Sequence, residues 1–250
     1  MNNKKRIVIV GATSAIAEHC ARLWVRDQPV ELTLVGRDAV RSERVAADLR
    51  VRSPQSAIHV LQADFLDPAA IRACVDGIAA QGTIDLVLIA HGVLPEQGLC
   101  QENLQAGHDA LQINAISPVL YAEAFAGHMA AADQGTLALI GSVAGDRGRK
   151  SNYVYGAAKG LVTRYVQGLQ HRFAASGVNI VLIKPGPTDT PMTAHLKSTG
   201  AKLAPAEDVA LGIVKGIASG KKLIYVPGKW QAIMMIIRHL PAFVFNKMDI

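Results

Sequence analysis

Short uninterrupted apolar runs alternate along this chain with longer amphipathic stretches. The first run, Ile7–Val10, is closed by Gly11, and the second, Val30–Val35, by Gly36. A run of this kind ended by glycine predicts a strand buried on both faces, since a half-exposed strand alternates polar and apolar residues. Between the runs the spacing predicts helices over Ala15–Arg26 and Ala39–Arg52, then a strand Ala57–Gln62, a helix from Pro68 and a strand Ile84–Ala90. The second half repeats the rhythm: a long helix Asn103–Ala131, a strand Thr136–Ile140, a helix Tyr153–Ala175, a strand Val178–Ile183, a helix from about Pro205 and a strand Leu223–Val226.

Strands that alternate with helices require right-handed crossovers and a parallel sheet covered on both sides. The expected architecture is therefore α/β: a single doubly wound, Rossmann-type domain over residues 1–228, with a mostly parallel seven-stranded sheet. The tail 229–250 breaks the pattern. Trp230 and Ile233–Ile237 form an apolar patch, Arg238, His239 and Pro241 interrupt it, and Ala242–Phe245 resumes it before Lys247. The uninterrupted part is far short of the ~20 residues that span a bilayer. Three readings stand for it: a helix docked on the body, a subunit interface, or an interfacial membrane element.

Half of the 250 residues are hydrophobic and only 18% charged, a composition that folds. A net charge of +6 and a pI near 9.3 fit nucleic acid, a membrane surface or small anions as partners. With no long Lys/Arg run and 5% aromatic residues, nucleic acid is the one to drop. Cys20, Cys74 and Cys100 are odd in number and form no C-x-x-C pair, so they read as reduced thiols, and no metal site is expected. The basic start Met1–Arg6 runs into an apolar stretch too short for a signal peptide, so a cytoplasmic location is expected.

Gly11-Ala12-Thr13-Ser14-Ala15-Ile16-Ala17 falls where the first strand turns into the first helix. Such a turn offers backbone N–H groups and the positive end of a helix to a pyrophosphate. Ala15 and Ala17 stand where a glycine-rich fingerprint has glycine, placing methyl groups near the diphosphate. After the second strand comes Arg37, whose planar fork suits a 2′-phosphate, so NADP(H) is expected and NAD(H) less so, Asp38 keeping the latter open. Asp64, after the third strand, is placed to accept from an adenine amino group, with Phe65 beside the ring.

Tyr155 and Lys159 are four apart on one predicted helix, so the ammonium lies near the phenol and is expected to lower its pKa. Ser142 ends the preceding strand, where open α/β sheets bind ligands, and can hold a carbonyl oxygen. Asn114 interrupts a helical pattern; it either keeps a water beside Lys159 or is a buried amide satisfied by backbone. Between Ser142 and Tyr155, Arg147, Arg149 and Lys150 suggest an anionic group on the substrate, the alternative being a solvated loop.

Along nearly its whole length the chain resembles the short-chain dehydrogenase/reductase family. The matching parts are the Gly11 turn, Asp64, Ala90-His91-Gly92, Asn114, Ser142, Tyr155, Lys159 and Pro185-Gly186-Pro187-Thr188-Asp189-Thr190. The resemblance implies Tyr155 as proton donor, with Lys159 as its tuner and a ribose ligand. Ser142 then orients the carbonyl, Asn114 holds a relay water, Pro185, Gly186 and Thr188 line the cofactor, and Thr190 contacts the nicotinamide carboxamide. It also implies a homodimer or homotetramer. His91 stands where the family has Asn, which removes a structural hydrogen bond on the fourth strand. The basic loop, a lid with Met192 and Leu196, and the tail Met234–Met248 are similar to the decaprenylphosphoryl-2-keto-ribose reductase branch. That branch implies a keto-sugar on a polyprenyl phosphate and peripheral contact with the inner membrane face. The rival readings are a generic ketone or 3-oxoacyl-carrier-protein reductase and a non-catalytic NADP-binding regulator.

Overall fold

The computed structural model describes residues 4–248, apart from the side chains of 197–199. Met1–Asn3 and the last two residues of the tail lie outside the described residues. The strands and helices run β1 (Lys5–Val10), α1 (Ala15–Asp27), β2 (Val30–Gly36), α2 (Ala39–Arg52), β3 (Ala57–Gln62), α3 (Pro68–Ala79), β4 (Leu86–Ile89), α4 (Gln97–Glu102) and α5 (Leu104–Leu111). There follow α6 (Ser117–Ala132), β5 (Gly135–Ile140), α7 (Tyr153–Arg172), β6 (Val178–Pro185), β7 (Thr188–Asp189), β8 (Ala204–Pro205), α8 (Ala206–Ala218), β9 (Leu223–Val226), α9 (Lys229–His239) and α10 (Ala242–Phe245).

Seven strands form one sheet in the order β3-β2-β1-β4-β5-β6-β9, and every pairing is parallel. The continuous apolar runs follow from this burial. In β1, Ile7 and Ile9 face a core shared with α1, α2 and α8, while Val8 and Val10 face a second core shared with α3, α6 and α7. β4 divides in the same way, Leu86 and Leu88 to one side and Val87 and Ile89 to the other. Strand order reverses between β1 and β4, so a crevice opens beyond the carboxyl ends of these strands, where open α/β sheets bind ligands.

The long helix expected over Asn103–Ala131 is divided. A π-helical turn, Gln112–Ile116, separates α5 from α6, and α4 precedes them. Asn114 sits in this turn, fully buried. Its Nδ2 donates to the Ala110 carbonyl at 2.9 Å and its Oδ1 accepts from the Val93 N–H at 2.9 Å, so its amide ties the turn to the chain after β4. The two-stranded pair β7–β8 was not expected from the sequence, being only two residues a side. In the tail, α9 and α10 fold back against the body.

Candidate active site

A cleft of about 1100 Å³ opens at the strand-order reversal. Its lining includes Ser142, Tyr155, Lys159 and Asn114 and the expected cofactor residues from Gly11 to Thr190, but not Ala17 or Asp64. Asp64 Oδ1 instead accepts from the backbone N–H groups of Leu66 (2.7 Å) and Asp67 (3.4 Å), closing the turn before α3.

At the nucleotide end, Gly11 has φ +87°, and a Cβ there would fall 2.5 Å from the His91 backbone nitrogen. Only glycine fits both the backbone angle and that close approach. Thr13, Ser14, Ala15 and Ile16 line the cleft at the start of α1, and the Ser14 side chain makes no capping bond, which leaves the first-turn N–H groups to a ligand. Of the two alanines in place of glycine, Ala15 faces the cleft, but Ala17 is fully buried in the core. Ala17 therefore adds no methyl group at the diphosphate, contrary to the expectation.

Arg37 lines the far end of the cleft together with Arg41, one turn into α2, which the sequence reading did not single out. No carboxylate pairs with either guanidinium among the described residues. Asp38 Oδ1 accepts from the Arg41 N–H at 3.0 Å, capping α2. These features fit a dinucleotide: uncapped N–H groups at the diphosphate position and two cations beyond the adenosine end.

His91 fills the place of the expected asparagine and is bonded through one ring nitrogen, its buried Nδ1 having no hydrogen-bond partner. Its Nε2 shares a hydrogen bond of 2.9 Å with Ser117 Oγ at the start of α6, and its ring packs edge-on to Phe65 (4.7 Å between centroids) and Tyr121 (5.8 Å). Burial, helped by the charges of Lys159 and Arg37, pushes the imidazole down to about 3, so the ring is neutral. The fourth strand therefore keeps a side-chain tether, carried by imidazole.

Tyr155 and Lys159 project from the first turns of α7, and Ser142 from the end of β5. Lys159 is 3% exposed. Its Nζ donates to the Ile140 carbonyl at 3.1 Å and stands 5.8 Å from the centre of the Tyr155 ring. Burial pushes the ammonium down to about 8. Burial also pushes the Tyr155 phenol above its usual range, and the hydrogen bond with Ser142 pulls the other way. This direction is opposite to the lowering expected from Lys159, and its cause is burial of the phenol.

The three cations of the following loop do three different things. Arg147 turns away from the cleft into the tail: its Nη1 donates to the carbonyls of Ile237 and Leu240, both at 2.6 Å, and its guanidinium lies 3.8 Å over the Phe245 ring. Lys150 is exposed and outside the cleft lining. Arg149 alone faces the cleft, with Ser151 and Asn152, and its buried Nε has no hydrogen-bond partner. Asn152 Oδ1 is likewise buried and unpartnered. Nothing in the sequence distinguishes Arg149 from Arg147. Beyond them, Pro185, Gly186, Thr188 and Thr190, the residues expected on the nicotinamide side, line the opposite wall of the cleft. The Thr188 hydroxyl donates to the Gly186 carbonyl at 2.8 Å, and the Thr190 hydroxyl lies 3.2 Å from that of Thr193. Met192 and Leu196 line the cleft from the segment Pro191–Thr199.

A family profile described as short chain dehydrogenase matches residues 5–201. The chain belongs to this family. An uncharacterized oxidoreductase of Mycobacterium tuberculosis is 28% identical over 243 residues, covering 97% of this chain and 96% of the relative. One from Streptomyces coelicolor is 25% identical over 248 residues, covering 98% and 96%. Among solved structures, a short-chain dehydrogenase from Sphingobium yanoikuyae in complex with NADPH superposes with a TM-score of 0.81 at 24% identity, covering 95% of this chain and 97% of the other. This short-chain dehydrogenase is an NAD(P)-dependent oxidoreductase acting on CH–OH groups.

Proposed function

We propose that this short-chain dehydrogenase is an NADP(H)-dependent reductase interconverting a carbonyl and a secondary alcohol, with Tyr155 as proton donor. The observation that carries the reading is the juxtaposition of Ser142, Tyr155 and Lys159 in the lining of one dinucleotide-sized cleft. When bound, the nicotinamide supplies or accepts the hydride. The chain's own residues do the rest: Ser142 and Tyr155 hold the carbonyl oxygen, Tyr155 gives it a proton, and Lys159 holds positive charge beside the phenol. Asn114 keeps the π turn in place. Arg37 and Arg41 favour the 2′-phosphorylated cofactor, since the neighbouring acid Asp38 is engaged as a helix cap.

The substrate carries an anionic group received by Arg149, with the unpartnered Asn152 carbonyl beside it to accept from a hydroxyl. A keto-sugar on a polyprenyl phosphate has that chemistry. The tail supports peripheral contact with the cytoplasmic membrane face: Met235 (58%), Ile236 (62%) and Phe243 (72%) are exposed among Lys229, Arg238 and Lys247, with no acid between Lys229 and Met248. Among the described residues no helix is long and apolar enough to cross a membrane. Exposed Leu104, Leu111, Ile116 and Leu161 on α5, the π turn and α7 support a homodimer or homotetramer.

The test is nucleotide binding by nicotinamide fluorescence together with turnover of paired anionic and neutral ketones. Tyr155→Phe is expected to lower kcat by roughly a hundred- to ten-thousandfold, the usual worth of a positioned acid, while NADPH affinity stays within about threefold. Retained turnover would remove Tyr155 from its role. Binding without turnover by the wild type on every ketone would favour the regulator reading.

A further inference from the structure

Ser142 begins a short 3-10 turn, Val143–Asp146, and Arg147 follows it. Three contacts hold this turn. Gly145 lies against the α7 backbone, where a Cβ would come within 2.6 Å of the Lys159 carbonyl. The Asp146 carboxylate forms a buried ion pair with Lys184 of β6 and accepts from the Tyr225 hydroxyl of β9 at 2.8 Å. Arg147 reaches the terminal carbonyls of α9 and stacks on Phe245 of α10. A cation is favoured at the carboxyl end of a helix, and the planar guanidinium serves two carbonyls and a ring at once.

The other end of α9 touches the opposite wall of the cleft. A side chain on Gly186 would collide with the Trp230 indole, so the nicotinamide-side turn Pro185–Gly186 rests directly on α9. The hairpin α9–α10 is thus in contact with both the turn that carries Ser142 and the turn that faces it.

We propose that Arg147 is a positioning residue, and that through it the C-terminal hairpin sets the separation of the Ser142 turn and the Gly186 turn. The catalytic part of the chain then extends to Phe245, beyond the boundary at 228 that the sequence suggests. The proposal rests on the carbonyl-reductase reading of the site. Arg147 does not line the cleft, so its effect reaches the reaction through Ser142 and not through a ligand.

The test uses the full-length chain with Arg147→Ala and Arg147→Lys, read by hydrogen–deuterium exchange and by NADPH-dependent reduction of acenaphthenequinone, an uncharged diketone probe. In Arg147→Ala, exchange is expected to rise in both 229–248 and 142–147, with NADPH affinity unchanged. The kcat should fall about ten- to a hundredfold, the scale of a small misplacement of catalytic groups. Arg147→Lys keeps the charge but not the fork and should recover part of kcat at unchanged KM. Exchange rising in the hairpin alone, or kcat unchanged in Arg147→Ala while the wild type turns over, would overturn the coupling. Absence of probe turnover by the wild type would count against the reductase reading only, because the exchange measurement still decides the coupling.

Discussion

Around the nucleotide half of the cleft, between β1, β2 and α1, the lining is mostly backbone and small side chains: Gly11, Thr13, Ser14 and Ala15, with free N–H groups at the start of a helix. Around the carbonyl half, beyond β5 and β6, each wall is held by a large side chain with a remote partner. Asp146 meets Lys184 and Tyr225, Arg147 meets Ile237 and Leu240, and Gly186 meets Trp230. The first half depends on a local backbone shape, with the Ala15 methyl facing the cleft. The second depends on side chains brought together by the fold, so a single substitution there disturbs two or three elements.

The sharpest way to break this contrast is Lys184→Met. It leaves the Asp146 carboxylate buried with the Tyr225 hydroxyl as its side-chain hydrogen-bond partner and the Arg149 charge nearby. Removing one partner of a buried pair costs about 3–5 kcal/mol, or roughly 10 °C in melting temperature for a chain of this size. Thermal melts and urea titrations measure it. Adding Asp146→Leu to Lys184→Met should restore most of the loss, because no orphaned charge then remains. A loss under about 1 kcal/mol for Lys184→Met would mean the pair is open to water, and the carbonyl half would be no more interdependent than the nucleotide half.

The same contrast governs what the sequence discloses. The sheet was legible because the apolar runs Ile7–Val10 and Val30–Val35 are buried on both faces. The Gly11 turn and the Tyr155–Lys159 pair were legible because a glycine closing an apolar run and a spacing of four on one helix are local patterns, although the His91 backbone that makes glycine necessary at position 11 lies far along the chain. Asp146 is 38 residues from Lys184 and 79 from Tyr225, and Arg147 is 90 and 93 from its two carbonyls. No local pattern marks pairs that distant, so Arg147 and Arg149 read alike as anion binders. Asn114 was half legible: its awkward place in a helix was visible, while the π turn and the Val93 contact that explain it depend on the chain after β4. Ala17 misled for the opposite reason, since its position in the motif says nothing of which face of α1 it occupies.

Lys159 tests where the cost of the site lies. Its ammonium is buried and its pKa is held at about 8, below the ordinary lysine value. Between about pH 8 and 10.4 the unfolded chain keeps a proton that the folded chain has released. The penalty is therefore complete below pH 8, and stability recovers as pH rises through that window. Lys159→Met removes the penalty and the loss of the hydrogen bond to Ile140 offsets part of it, so the variant should gain about 1–3 kcal/mol near pH 7. Its stability should be flat between pH 8 and 10 where the wild type climbs. Chemical denaturation at several pH values reads both. A variant less stable than the wild type at pH 7 would show that the ammonium is better compensated than its burial implies.

Arg37→Ala examines the nucleotide half, where side chains matter least for the fold and most for the choice of ligand. The residue is exposed, so melting temperature should move little. A charge-assisted bond to phosphate is worth about 1.5–3 kcal/mol, so NADPH affinity should fall about ten- to a hundredfold. NADH lacks that phosphate and should lose less than about twofold. Arg41→Ala should show a smaller loss of the same sign, because Arg41 enters the cleft from the next turn of α2. The ratio of the two nucleotide affinities, measured by fluorescence at fixed salt, is the quantity that decides, since bulk charge changes affect both cofactors together. Equal losses for NADPH and NADH would place the 2′-phosphate away from Arg37. The two guanidiniums would then be surface charges, and cofactor choice in this half would rest on the backbone alone.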